Sequence, residues 1–429
     1  MACKVGPPGV TDDVFRPFSE LTWIPSGTHL YVLYEGYGFS VASLYCLGFV
    51  SGGLMSPITG PLVDKIGRKR AAILYCVLEI MINRLEQYPI LAGLIISRMV
   101  GGFTTNLLST VFEAWLDTEY RRQGLAPDKY EIIMRDSVIV SNTAAILSGF
   151  IAHALSERYG AVGPFQGAVT CTAIALTVIA LVWNENYGTE DDEEKRDMLS
   201  YFHDAVSSFR SDRRMRRVGI IQGLTTGSIH IFIFLWAPAL IKVSGYASTS
   251  SWGLDSNGDP AFGLIFGAFM AAGVCGGFLA PICRRFLESR MTQAKAADWP
   301  EHGPRSLSVE LLVCVAYLVS GIMLAVPFML PSGTRYSFEL SLLAFLVFEL
   351  MIGLFLPCEG VIRSIYFPSN ARASIMTLPR IIVNAAVSVG VVSTNFIDLN
   401  VAFAAVSGLM IVAAALQASL LYQPSVSTL

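Results

Sequence analysis

An all-α protein that crosses a membrane many times is what this sequence predicts, and three observations predict it. Of its 429 residues, 53% are hydrophobic and only 15% charged, with a mean hydropathy of +0.55; a soluble chain carries about a quarter charged residues. Apolar runs recur along the chain, and about twenty such residues span a hydrocarbon core about 30 Å thick. The runs are continuous and do not alternate. Only helices and closed barrels satisfy the backbone in lipid, so continuous runs select helices.

Residues 1–20 are polar and contain proline, without the apolar core of a signal peptide. Leu21–Ser40 is a weak first span, moderately apolar and marked by Pro25, Gly27, His29, Glu35 and Gly36. Strong apolar spans follow near 41–63, 71–87, 89–115, 134–155, 161–183, 218–241, 261–283, 308–330, 338–357, 374–396 and 399–421. The expectation is therefore eleven strong helices after one first helix that is shortened or incomplete in this chain.

The loops between the spans orient them. If the loop after 41–63 is cytoplasmic and sides alternate, that side collects Lys65, Arg68, Lys69 and Arg70, the basic stretch 210–217, and Arg284, Arg285 and Arg290. The opposite side keeps only Arg84, Arg158, Lys242 and Arg335. An excess of Lys and Arg marks cytoplasmic loops, which places the central loop and the C-terminus in the cytoplasm. The longest polar stretch, 184–217, is acidic at 190–194 and then basic. It divides the chain into an N-terminal bundle, 1–184, holding helices 1–6, a cytoplasmic linker, 185–217, and a C-terminal bundle, 218–429, holding helices 7–12.

Internal echoes support two related halves. Ile133-Met134, Asn142 and Ala144-Ala145 return in similar spacing as Ile375-Met376, Asn384 and Ala385-Ala386. Gly60–Arg70 has a degraded echo in Gly277–Arg285. Such echoes suggest parallel repeats related by an axis along the membrane normal.

Other functional classes find little support. A net charge of −3 gives no basic bias toward nucleic acid. The eight cysteines, Cys3, Cys46, Cys76, Cys171, Cys275, Cys283, Cys314 and Cys358, are scattered without CxxC spacing, so neither a disulfide framework nor a zinc site is expected. No P-loop, metal-ligand cluster or Ser/His/Asp arrangement stands out. The expectation is a protein that is not an enzyme and uses no cofactor and no metal.

Polar residues inside the spans carry the functional reading, because ionisable groups in a membrane are expensive and usually face a cavity or a partner. Arg98 and Glu113 lie in one apolar helix, with Gly102, Thr105, Asn106 and Phe112 between them. At 100° per residue, Thr105 falls within about 40° of Arg98 and Glu113 about 60° away. Arg380 and Asn384 share a face four residues apart, with Pro379 beside them. Glu359 and Arg363, in the favourable i,i+4 order, predict a salt bridge at a helix end. His230, near Ser228 and Trp236, is either a satisfied polar group or a titrating one. Glu79 is a further intramembrane acid with no evident partner.

The turn Gly60-Pro-Leu-Val-Asp64-Lys65-Ile-Gly67-Arg68-Lys69-Arg70 resembles the signature between the second and third helices of the major facilitator superfamily. Gly60 permits close helix approach and Gly67 a tight turn. The resemblance implies two six-helix bundles and a conformational latch built on Gly60, Asp64, Gly67 and Arg68. A closer resemblance rests on Leu30–Tyr34, Phe112-Glu113-Ala114-Trp115, Asn184-Glu185-Asn186-Tyr187, Phe234-Leu235-Trp236-Ala237-Pro238, and Arg372–Met376 with Arg380. In order and spacing these look like the eukaryotic molybdate-anion transporter family. Two departures stand out: the family's first helix is longer at its N-terminal half, and Thr226 stands where the family tends to carry an acid.

That resemblance implies a secondary active transporter taking up molybdate, a tetrahedral oxyanion, by alternating access, with the plasma membrane as its location. The guanidinium fork pairs well with an oxyanion, so Arg98 and Arg380 are the expected anion-binding groups, with Thr105, Asn106 and Asn384 as hydrogen-bond donors. Glu113 and His230 are candidates for coupling to protons. The expected partners are molybdate or a similar oxyanion, protons and the lipid bilayer, with no nucleic acid. Two other readings stay open: a non-transporting receptor or scaffold of the same fold, and a carrier for another anion or small solute.

Overall fold

The structure, a computed structural model, describes residues 30, 33–34, 36–124, 127–187, 198–247, 252–254, 258, 260–293, 304–330, 336–367, 374–379, 383–384, 387 and 397–421. Among these the chain is helical almost throughout. The helices are α1 (Val41–Ile66), α2 (Arg68–Leu85), α3 (Leu91–Arg122), α4 (Pro127–Tyr159), α5 (Gly163–Val182), α6 (Met198–Ser211), α7 (Arg213–Ser244), α8 (Phe262–Gln293), α9 (Pro304–Met329), α10 (Ser337–Tyr366) and α11 (Leu399–Leu421). Helical residues also occur within 30–36 and 374–387. Arg380, the second expected anion-binding arginine, lies outside the described residues, as does Arg372.

Eight candidate membrane spans are found among the described residues, against the eleven strong runs of the sequence. Two differences have a physical cause. α4 and α5 are joined only by the single 3-10 turn Gly160–Val162 and merge into one apolar stretch, Ile132–Val182. α2 carries Arg68, Lys69, Arg70, Glu79 and Arg84 within 18 residues, too many charges for an apolar span. The outer faces of the helices suit lipid: Leu54, Phe150 and Leu181 are 71%, 71% and 80% exposed. Apolar surface of that extent marks a membrane or partner face in a folded protein.

The chain forms two compact units. The first draws on Met1–Ile133, Val140–Arg213 and Phe367–Val392, the second on Met134–Ile139, Arg214–Tyr366 and Ser393–Leu429. Within the first, α3 packs on α1 and α2, α2 on α5, and α6 on α1. Within the second, α10 packs on α8 and α9, and α9 on α11. α1·α3, α2·α3 and α2·α5 thus correspond to α8·α10, α9·α10 and α9·α11, so the helix packing repeats from unit to unit.

Glycine permits a close helix crossing in each unit. A Cβ on Gly102 of α3 would collide with the Gly48 carbonyl and the Gly52 amide of α1. In the second unit a Cβ on Gly353 of α10 would strike the Gly273 backbone of α8, and one on Gly276 the Leu350 carbonyl. Such small-residue contacts let helix backbones approach where water supplies no hydrophobic drive.

Candidate functional site

The glycine seam of α1 and α3 assembles part of the expected anion site. Asn106 is fully buried; its Nδ2 donates to the Gly52 carbonyl at 2.7 Å, and its Oδ1 accepts from Ser56 Oγ at 3.3 Å. A Cβ on Gly52 would lie 3.3 Å from Asn384 Nδ2, so Asn106 and Asn384 both meet α1 at Gly52. Ser51 Oγ donates to the Met99 carbonyl at 2.5 Å. Thr105 is exposed, its hydroxyl donating to the Gly101 carbonyl at 2.8 Å.

Arg98 stands one turn before Gly102. Its guanidinium forms a buried ion pair with Glu86, which follows the C-terminus of α2. Glu86 Oε1 also accepts from Tyr34 Oη at 3.3 Å and Ser97 Oγ at 3.1 Å, while Tyr37 Oη donates to the Glu86 carbonyl at 3.2 Å. The Arg98 guanidinium lies 5.8 Å from the Tyr34 ring centroid, within cation–π range. The α2–α3 turn, the start of α3 and the residues preceding α1 are thereby tied to one charge pair. Glu113 lies fifteen residues further along the same helix and is half-buried.

At the other end of α1, Gly67 makes the turn into α2 alone, with φ of +91°, a backbone conformation that favours glycine. Gly60 and Gly67 are both buried. Asp64 and Arg68, one helical turn apart, are fully buried and paired at 3.3 Å. Asp64 Oδ2 accepts from Ser374 N at 3.0 Å and Ser374 Oγ at 2.8 Å. Arg68 donates to Thr118 Oγ1 at 2.5 Å and to the Tyr187 carbonyl at 2.8 Å. Glu185 accepts from the Lys69 and Arg70 amides at 2.9 and 3.2 Å, filling the free donors at the α2 N-terminus with a negative charge. Trp115 Nε1 donates to the Asn184 carbonyl at 2.9 Å, Asn186 Nδ2 returns a bond to the Trp115 carbonyl, and the Trp115 and Trp183 rings stack at 4.1 Å. Three motifs from separate parts of the sequence, 60–70, 112–115 and 184–187, therefore converge here.

The second unit holds its own buried carboxylate. Glu359 Oε1 accepts from Tyr317 Oη at 2.6 Å and Thr225 Oγ1 at 3.0 Å, and Arg363 lies 3.6 Å from Oε2. Arg363 also donates to Gln222 Oε1 at 3.1 Å. α7, α9 and α10 thus share one charged network. Thr226, beside Thr225, offers its carbonyl to His230 Nδ1 at 2.8 Å. Trp236, in the Phe234–Pro238 motif, packs edge-on against Phe262 and Phe269 of α8.

A family model described as sugar transporters with 12 TM, one of the major facilitator (MFS) models, matches residues 20–295. The chain belongs to the major facilitator superfamily. Within it, the resemblance carried by the motifs extends over most of the length. The molybdate-anion transporter of Xenopus tropicalis is 28% identical over 387 residues, covering 88% of this chain and 76% of that one. Its counterpart from Danio rerio is 27% identical over 405 residues, covering 87% and 76%. The crystal structure of the human organic anion transporter MFSD10 shares 13% identity and a TM-score of 0.66, covering 96% of this chain and all of that one (100%). An outward-facing bacterial homologue of the iron transporter ferroportin gives a TM-score of 0.68 at 13% identity, covering 97% and 98%. At such identities the likeness concerns the fold alone, a multi-pass helical architecture of the kind the apolar runs predict.

One group in this major facilitator chain escaped the sequence reading, and a second was read only in part. Glu86 sits beyond a helix end, twelve positions from Arg98 and across a turn, so no helical spacing relates them. Glu359 was legible only as a partner of Arg363; its bonds to Tyr317 and Thr225 join helices far apart in sequence. Glu79, without an evident partner in the sequence, receives a 3.5 Å bond from Asn83 Nδ2.

Proposed function

We propose that this protein takes up molybdate, or another tetrahedral oxyanion, across the plasma membrane by alternating access between its two helical bundles, with the central loop and C-terminus in the cytoplasm. The observation that carries the reading is the similarity to molybdate-anion transporters over nearly nine-tenths of the chain. A cation held inside the first unit supports it. Arg98 is anchored by Glu86 on one side, and a guanidinium presents five donors in a fork, so one carboxylate does not exhaust it. Arg98 and Arg380 bind the anion, Thr105, Asn106 and Asn384 donate hydrogen bonds, and Glu113 and His230 are coupling groups. Asn106 contributes through the seam, because one amide hydrogen is committed to Gly52. Gly60, Asp64, Gly67 and Arg68 form the latch, which the tie from Asp64 to Ser374 holds in one state.

Uptake of radiolabelled molybdate tests the assignment in cells depleted of their own carrier. Wild type should exceed empty cells, and Arg98→Ala should fall at least tenfold; uptake at the empty-cell level for wild type rejects the function. The family model's sugar-transporter description favours a second reading, an uncharged cargo. Competition separates the two: tungstate and sulfate should suppress molybdate uptake and sugars should not, whereas suppression by sugars alone favours the neutral solute.

A further inference from the structure

We infer that Glu349, in the middle of α10, is a proton-binding site that couples the transport cycle to proton movement. The inference deepens the transport reading and rests on it for the cycle being coupled, but not for the existence of the site. Glu349 lies inside an apolar stretch, Phe345-Leu-Val-Phe-Glu349-Leu-Met-Ile-Gly353, within the candidate span Ser337–Tyr366. The side chain is half-buried. Among the described residues, none donates a hydrogen bond to its carboxylate or pairs with it. Every other acid named above as buried, Asp64, Glu86 and Glu359, is bonded.

Its place on the helix is not a lipid face. The exposed apolar residues of α10, Leu340, Leu343 and Ile365, lie about 180°, 120° and 160° round the helix from Glu349 at 100° per residue. Gly353, by contrast, lies only about 40° away, and it is Gly353 that meets the Gly273 backbone of α8. Glu349 therefore lies on the side of α10 that turns toward its own unit. The repeat gives it a counterpart. Gly353 of the α8·α10 crossing corresponds to Gly102 of the α1·α3 crossing, and Glu349 precedes the one by four residues as Arg98 precedes the other. The same structural position carries a cation in one unit and an acid in the next.

Among the described residues, the helices packed against α10 bring no fixed charge to that level. On α8, Arg284 neighbours Cys358, beyond the crossing from Glu349, and Arg285, Glu288 and Arg290 lie further along; Cys275 is two residues past Gly273. On α9, Tyr317 meets Glu359 and Glu310 meets Tyr366, again beyond the crossing, with Cys314 between them and Arg305 before. α11 carries no charged residue over Leu399–Leu421. α7 touches this part of α10 through Phe232, which packs on Phe345 and Phe348. His230 is two residues from Phe232, about 200° round that helix, and its Nδ1 is against the Thr226 carbonyl. An acid in apolar surroundings without a counter-charge is neutral for as long as it holds a proton. Exposure to the acidic side loads the proton and exposure to the other side releases it.

Dicyclohexylcarbodiimide tests the site without reference to any cargo. A protonated carboxyl adds across the carbodiimide, and the O-acylisourea rearranges to an N-acylurea that keeps the whole reagent, with nothing leaving. Peptide mass analysis of the intact protein in lipid should find Glu349 modified at neutral pH, with the label falling several-fold in alkaline buffer, while ion-paired Glu359 stays unmodified. A second arm measures molybdate uptake in proteoliposomes with and without an acidic exterior. The gradient should stimulate wild type several-fold, and in Glu349→Gln that ratio should fall to about one. Glu349 unmodified at every pH, or a Glu349→Gln variant still stimulated like wild type, overturns the proton site. Modified Glu349 in a protein that moves no molybdate instead refutes the cargo and leaves the site standing.

Discussion

Arg98 and Glu86 are paired where neither can easily reach water, with side chains 17% and 3% exposed. Removing one member strands the other charge, which costs about 3–5 kcal/mol for a buried pair, whereas replacing both by apolar groups is often near neutral. Glu86→Gln keeps the shape and the acceptor for Tyr34 and Ser97 but cancels the charge. It should lower the melting temperature of the detergent-purified protein markedly. Adding Arg98→Met should restore much of the loss, although that double variant cannot bind an anion through residue 98. A Glu86→Gln protein that melts like wild type would show that the pair adds nothing. Sequence reasoning reached Arg98, because a cation in an apolar run is conspicuous, and missed Glu86, because an acid at a helix end is ordinary. The α2–α3 turn decides the pairing, and no periodicity encodes it.

At the scale of elements, the helices were legible and their contact faces only partly so. Continuous apolar runs located α1, α3 and α7 through α11, since each must bury its backbone groups internally. The boundary between α4 and α5 was legible too, because Ser156-Glu157-Arg158 breaks the apolar pattern just before the 3-10 turn at Gly160–Val162. Gly101 and Gly102 are indistinguishable in sequence, yet only Gly102 touches α1; a Cβ on Gly101 meets nothing within 4 Å. The difference is a prediction. Gly102→Ala presses on backbone atoms of α1 that cannot rotate away, and overpacking of this kind costs about 1–3 kcal/mol. Gly101→Ala should be neutral or slightly stabilising, since alanine in a helix is favoured over glycine by about 1 kcal/mol. In the second unit Gly353→Ala should behave like Gly102→Ala, and Gly267→Ala, with open space around it, like Gly101→Ala. Thermal melting of the four variants checks this. Equal effects at positions 101 and 102 would mean that the α1·α3 crossing is not where the structure puts it.

For the whole molecule, the repeat seen as faint sequence echoes becomes a rule of assembly. Ile133-Met134 echoes Ile375-Met376, and these are the regions where each unit draws a segment from the opposite half of the chain. Met134–Ile139 belongs to the second unit, where Met134 meets Gly360 and Ile139 meets Gly277. Phe367–Val392 belongs to the first, where Ser374 bonds Asp64 and Asn384 meets Gly52. Sequence alone divides the chain at its polar middle, because a charge-rich stretch is visible and an exchanged segment is not. The exchange has a measurable consequence. A chain cut between residues 188 and 197 and expressed as two pieces should still purify as one complex through a tag on the first piece, because that piece lacks part of its own unit. Asp64→Ala removes the acceptor of both Ser374 bonds, and hydrogen bonds to a charged group contribute about 1.5–3 kcal/mol each. The variant should therefore recover at least tenfold less of the second piece. A first piece that purifies alone, equally well with or without Asp64, would mean that each half completes its unit by itself.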